Sequence, residues 1–222
     1  LVWAPIAGFW VRGIGYMIAT RFLPIPSFNF RGTGGMVMFG ASLLGGQLLW
    51  IVQTQSDIFI GGRILSPHEL GLYAEALFLT QIFVSKFIPP LNEVAFPTYA
   101  RMQNDVSRIA WSFCRAVKLL MLISCPIYLG MAAAAEPLVL TLFGTKWLAM
   151  VPFVTLLALA MPFMTMQVMF PPVCNALGRP GLSTRLSAIG AVLMPCAFLI
   201  GVHLSNSAIG LAWAWLCVYP II

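Results

Sequence analysis

Four cations of this sequence stand where a cation is costly. Arg12, Lys86, Arg115 and Lys118 fall inside long hydrophobic stretches, whereas the other eight of the twelve Lys and Arg lie between such stretches or at their ends. An ionised group within an apolar span usually faces a bundle interior or a water-filled cavity, so these four are candidate ligands for an anion. Arg108, Trp111, Arg115 and Lys118 are spaced 3, 4 and 3 residues apart, which lays them along one stripe of a helix. Such a stripe suits a diphosphate, and equally suits the headgroups of ordinary lipids. Arg12 is nine residues from Arg21, hence about 13 Å deeper along its helix.

Two further sets are polar at helical spacing. Glu75, Lys86 and Glu93, separated by 11 and 7 residues, share one face, while Leu77, Phe83 and Val84 point elsewhere. That face either lines a polar cavity or lets its charges snorkel to water. Ser42, Gly46, Gln53 and Asp57 form a second stripe, too polar for lipid, with Gln47 and Gln55 nearby. Asp57 either carries a coupling proton or cation, or pairs with Arg63. Gln53 and Glu75 join Asp57 as candidate polar groups of the same cavity. Pro89–Pro90 and Pro171–Pro172 remove backbone donors within apolar segments. The freed carbonyls serve as ligands or hinges, or the bends are static.

Other chemistry finds no support. Cys114, Cys125, Cys174, Cys196 and Cys217 are scattered without CxxC or Cys/His spacing, and His68 and His203 stand alone, so no metal site is expected. Nucleotide-binding, nucleophile-elbow and zinc-protease motifs are absent, which argues against an enzyme and leaves no cofactor to propose. The net charge of +6 does not form a basic soluble face, so nucleic acid is not an expected partner.

These residues must be positioned by membrane helices. Sixty per cent of the 222 residues are hydrophobic and 8% are charged, against roughly 25% charged in a soluble domain. Gly32 to Ser56, Leu119 to Ala135, Trp147 to Gly178 and Leu186 to Ile222 contain no Lys, Arg, Asp or Glu. Crossing a bilayer core takes about 20 helical residues, and unpaired backbone in hydrocarbon restricts each crossing to a helix. Punctuation divides the chain into seven segments, roughly 1–20, 36–62, 70–98, 108–132, 149–176, 183–203 and 207–222. The connections then hold Arg21, Arg31, Arg101, Arg108, Arg179 and Arg185 on one side and only Arg63 and Lys146 on the other. Basic residues are retained in the cytoplasm, which sets the first group inside. Gly40, Gly45, Gly46, Gly61 and Gly62 are expected at close helix contacts.

Four stretches then carry a resemblance: DIFIGGRILSPHELGLYAEA, FPTYARMQND, AEPLVLTLFGTKW and NALGRPGL, in that order through residues 34 to 182. Together they resemble the C-terminal half of Wzx-type oligosaccharide flippases, most nearly the colanic-acid and exopolysaccharide exporter branch, within the superfamily of multidrug, oligosaccharidyl-lipid and polysaccharide exporters. Asp57 and Arg63 match the D-x-x-x-x-G-R signature of that group, and Pro97 and Arg101 its F-P-x-x-x-R stretch. Pro137 to Phe143 matches a short interfacial helix anchored by Trp147. The resemblance implies an all-α fold, a polytopic transmembrane bundle with two six-helix lobes around a central cavity. On that template residues 1–20 end the first lobe, 21–35 are the cytoplasmic connecting loop, and 36–222 are the second lobe, incomplete at its C-terminal end. The chain starts inside a span without Met, in keeping with a missing N-terminal part.

The expected activity is transfer of undecaprenyl-diphosphate-linked oligosaccharide across the bacterial inner membrane, with membrane lipids as neighbours and a proton or sodium gradient as a source of direction. Arg12, Lys86, Arg115 and Lys118 are assigned to the anionic headgroup on physical grounds alone. Two rivals remain. A small-solute or multidrug exporter of the same superfamily would favour an aromatic, weakly acidic cavity. A membrane enzyme acting on lipid-linked sugars would need a sizeable polar loop with clustered carboxylates.

Overall fold

The computed structural model describes residues 3–20, 34–102 and 105–222. The chain divides into two compact units, residues 1–37 and 38–222. In the first, α1 (Trp3–Thr20) is an apolar helix with Arg12 near its middle. Arg21 and Arg31, expected in a cytoplasmic loop, lie outside the described residues.

The second unit is built from most of α2 (Gly34–Ile64), then α3 (Pro67–Arg101), α4 (Val106–Ala133), α5 (Ala135–Phe143), a 3-10 turn (Thr145–Met150), α6 (Val151–Gln167), α7 (Phe170–Ala176), α8 (Pro180–Ser205) and α9 (Ile209–Val218). All described elements are helical. Five stretches, Gly34–Ile64, Pro67–Arg101, Val106–Ala133, Thr145–Ala176 and Pro180–Ser205, are long and apolar enough to cross a membrane. Two shorter apolar helices, Ile6–Ala19 and Ile209–Val218, stand where the first and last of the seven segments were expected. The chain is a multi-pass membrane protein folded as a helical bundle.

Local chemistry explains where the helices start and turn. Ser66 caps α3 by accepting from the Glu69 amide at 3.3 Å, with Pro67 in the first turn. Asp105 caps α4 through the Arg108 amide at 2.9 Å. Gly178, at φ 66°, closes α7, and Pro180 opens α8 directly after it, so the NALGRPGL stretch is a tight helix–helix turn.

At the centre is α6, apolar around its whole circumference and packed against α3, α4 and α9. Leu157, Ala158, Ala160 and Met161 of α6 are fully buried, with Tyr73 of α3, Tyr128 of α4 and Trp215 of α9 around them. The closest backbone approach joins α8 to α9: a Cβ added at Gly201 would collide with the Gly210 carbonyl, and one at Gly210 with that of Gly201. Close approach of small residues is how helices associate in lipid. Of the five glycines expected at such contacts, Gly46 and Gly61 are crowded by a neighbouring helix, whereas Gly40 and Gly45 face open space.

α2 is different. It makes few close backbone approaches to the rest of the unit. It is held by polar side chains, Ser42, Gln53 and Asp57 all reaching across to other helices, and by Ile60 buried in the core with Trp50 and Ile58 packed against it.

Candidate functional site

The polar stripe of α2 turns inward and meets two groups of partners. Toward one end, Asp57 is fully buried, and its Oδ2 accepts from the Tyr73 hydroxyl at 2.6 Å. The Trp215 indole N–H lies 2.8 Å from the Tyr73 oxygen and 3.3 Å from Asp57 Oδ2, so one donor is shared between them. The Ile58 amide donates to Asp57 Oδ1 at 2.7 Å. Asp57 thus ties α2 to α3 and α9 through a chain running from Trp215 to Tyr73 to the carboxyl.

One turn away, Gln53 is equally buried and donates to Gln167 Oε1 of α6 at 3.0 Å, with the Tyr219 oxygen at 3.4 Å. Tyr219 in turn stacks on Trp215, ring centroids 4.9 Å apart and planes 6° from parallel. Gly190 of α8 leaves the space that the Gln53 amide fills.

Past this network the stripe opens into a cleft of about 350 Å³ between α2, α3, α7 and α8. Its polar groups are amides and hydroxyls: Gln47, Asn92, Asn175, Ser42, Ser183, Thr184 and Ser187. Trp50, Phe96, Pro171 and Pro172 supply apolar walls, and no Lys, Arg, Asp or Glu lines it. The Thr184 hydroxyl lies 3.1 Å from both the Ser42 and Pro180 carbonyls and 3.3 Å from the Ser42 hydroxyl, closing one side.

Proline chemistry shapes the opposite wall. Pro171 and Pro172 break the fifth segment as expected, separating α6 from α7 at Val168–Met169. In a continuous helix the Val168 carbonyl would accept from residue 172, but Pro172 has no N–H. Asn92 Nδ2 donates to that carbonyl instead, at 3.3 Å. Pro89 and Pro90, in contrast, do not interrupt α3. Both rings are exposed, on the side turned from the core, where the missing donors are accommodated without ending the helix.

The ionisable residues singled out from the sequence are distributed unevenly. Asp57 and Gln53 enter the buried network. Asp57 does not pair with Arg63, which stacks over Phe59 at 4.6 Å from the ring centroid. Six residues along a helix turn the side chain about 120° away, so the two point in different directions. Glu75 is half-buried on α3, and Lys86 and Glu93 are exposed. Leu77, Phe83 and Val84, not the charged face, pack into the core. Arg115 and Lys118 are exposed on α4, with the Arg115 guanidinium 5.2 Å from the Trp111 ring centroid. Arg12 belongs to the other unit. None of Lys86, Arg115 and Lys118 lines the cleft.

Sequence reading passed over Tyr73, Gln167, Trp215, Tyr219, Asn92 and Asn175. The first carried a signal, since Tyr73 lies within the DIFIGGRILSPHELGLYAEA stretch that Asp57 opens; the others became legible only when distant helices met. Glu69 was passed over too. It accepts from the Ser207 hydroxyl and from the Ala208 amide at 2.8 Å, holding the turn between α8 and α9 against the start of α3.

Comparison with known proteins follows the same lines. The family described as polysaccharide biosynthesis protein matches residues 1–152. The chain is 30% identical over 213 residues to the teichuronic acid biosynthesis protein TuaB of Bacillus subtilis, covering 95% of this chain and 43% of that protein. It is 24% identical over 221 residues to the succinoglycan biosynthesis transport protein ExoT of Rhizobium meliloti, covering 98% and 44%. Against the lipopolysaccharide biosynthesis protein WzxC of Escherichia coli it is 24% identical over 207 residues, covering 93% and 42%. The chain therefore spans less than half the length of these relatives. No solved structure matches it.

Proposed function

This chain belongs to the polysaccharide biosynthesis protein family, and from that membership we propose that it works in a transporter flipping undecaprenyl-diphosphate-linked oligosaccharide across the bacterial inner membrane. The observation that carries the reading is the polar stripe of α2, turned inward in an apolar membrane bundle and opening into an uncharged cleft. The stripe does more than join helices, since past its bonded residues it lines an open polar space. The relatives' names, which speak of succinoglycan transport and lipopolysaccharide biosynthesis, support the same substrate class.

The mechanism is alternating access. Residues 36–222 act as one lobe, and the helix within 1–20 as the last of the preceding lobe. The lipid tail stays in the bilayer while the headgroup crosses through the polar interior. Arg12, Lys86, Arg115 and Lys118 are the ligands proposed for the diphosphate, to which clustered cations bind favourably. No covalent chemistry is needed, so the protein is not an enzyme in this reading. Binding favours one face only if affinity differs between the two states. Direction therefore comes from a coupling ion, with Asp57, Gln53 and Glu75 as its polar groups, or from consumption of the product outside.

The test is translocation itself. The purified protein, reconstituted in proteoliposomes with a fluorescent undecaprenyl-diphosphate oligosaccharide, is expected to move the headgroup between leaflets. A preparation that is folded yet leaves the headgroup in its starting leaflet would sink the proposal.

A further inference from the structure

Resting on that transporter reading, we infer that the cleft between α2, α3, α7 and α8 is a sugar subsite, separate from the cations, in which Asn92 and Asn175 accept hydrogen bonds from the hydroxyls of one sugar ring. Asn92 is the fixed point. Its Nδ2 is committed to the Val168 carbonyl that Pro172 leaves without a helical donor, so its orientation is set and Oδ1 points the other way. That Oδ1 lacks a donor, and so does Oδ1 of Asn175, also of the cleft wall; both are closed off in this arrangement, so a ligand reaches them once the wall opens. A buried acceptor left unpaired is costly, and two of them bordering one cavity call for a ligand that brings donors.

The rest of the lining narrows the ligand. With no basic residue in the wall, a phosphate finds no counter-charge; with no carboxylate, an organic cation finds none either. About 350 Å³ is far more than a bound water needs and lies at the lower end of small-molecule sites. Trp50 and the two prolines present apolar surface, which suits the C–H faces of a sugar ring, while Ser183, Thr184 and Ser187 offer hydroxyls to its rim. A saccharide, apolar on its faces and rich in O–H donors at its edge, is the chemistry this cleft fits. The diphosphate is left to the cations, which stand elsewhere.

The experiment compares two ligands on the whole protein in detergent–lipid micelles: undecaprenyl diphosphate carrying one hexose, and the same carrier without sugar, followed by Trp fluorescence. The native protein is expected to bind the hexose form about tenfold more tightly, the worth of roughly two neutral hydrogen bonds. Asn175→Leu, and Ser187→Leu, which fills the cleft from α8, are each expected to erase that preference while leaving the sugarless carrier's affinity unchanged. Thermal melting checks that both variants are folded, and either one suffices if the other is not. Equal affinity for the two ligands in the native protein overturns the subsite and leaves the transporter reading standing. Failure to bind either carrier overturns the transporter reading. If sodium, titrated against choline at constant ionic strength, stabilises the native protein but not Asn175→Leu, the cleft is a cation site and the inference falls.

Discussion

At the scale of single residues, the chemistry concentrates on Asp57. It is fully buried and, among the described residues, has no ion-pair partner; what satisfies it is the hydroxyl of Tyr73, the amide of Ile58 and a share of the Trp215 N–H. Removing the Tyr73 hydroxyl leaves the carboxyl short of its closest donor and the indole N–H short of its closest acceptor. Tyr73→Phe is therefore expected to destabilise the protein by about 1–3 kcal/mol, measured by unfolding in mixed detergent–lipid micelles. Polar pairs in membranes often contribute less than that upper figure, because the unfolded state finds other partners. A value near zero would mean that the chain from Trp215 to Asp57 does not hold α2. Asp57→Asn asks a different question. The amide keeps an acceptor for Tyr73 but can neither bind nor release a proton in the physiological range. If Asp57 carries the coupling proton, the variant should still bind substrate and should lose the acceleration that a pH gradient gives to flipping; a variant with unchanged gradient dependence removes Asp57 from that role.

Elements explain how much of this was legible beforehand. Long uncharged runs have one stable form in hydrocarbon, so the helices appear close to where the seven segments were expected, and Pro137 to Phe143 lies within α5 (Ala135–Phe143). The break at Pro171–Pro172 was legible because a missing N–H is a property of the residue itself. What was not legible depends on meetings between distant segments. Trp215 reads as one more apolar residue of α9 until Asp57, 158 residues earlier, is placed beside it. Gly201 and Gly210 look like Gly40 and Gly45, yet only the first pair lets two backbones touch. That difference is measurable. Gly201→Ala forces a methyl into the Gly210 carbonyl, where backbone must move, and is expected to cost about 1–3 kcal/mol. Gly40→Ala meets open space within a helix and should be neutral or stabilising by up to about 1 kcal/mol. Equal effects at the two sites, read from the same unfolding curves, would contradict the close α8–α9 contact.

For the second unit as a whole, the decisive asymmetry is between α2 and the remainder. α3, α4, α6, α8 and α9 are locked by close backbone packing and a shared apolar core, which resists continuous deformation. α2 is attached by side-chain hydrogen bonds, which can be exchanged for bonds to a ligand or to water at little net cost, and by the packing of Trp50, Ile58 and Ile60 at the core. An alternating-access cycle needs an element with two arrangements, and α2, which gives the core Ile60 alone among its buried residues, is the candidate whose release disturbs the core little. The cleft lies along its inner face, so a shift of α2 away from α8 would widen the cleft. Ser42 and Thr184, whose hydroxyls are 3.3 Å apart, mark the seam between them. In a background with the five native cysteines replaced, the double variant Ser42→Cys, Thr184→Cys is expected to form a disulfide under mild oxidation, to stop headgroup transfer in proteoliposomes when oxidised, and to recover it on addition of dithiothreitol. Transfer that continues at full rate through the cross-linked protein would show that α2 and α8 travel together, and the moving boundary would have to lie elsewhere in the bundle.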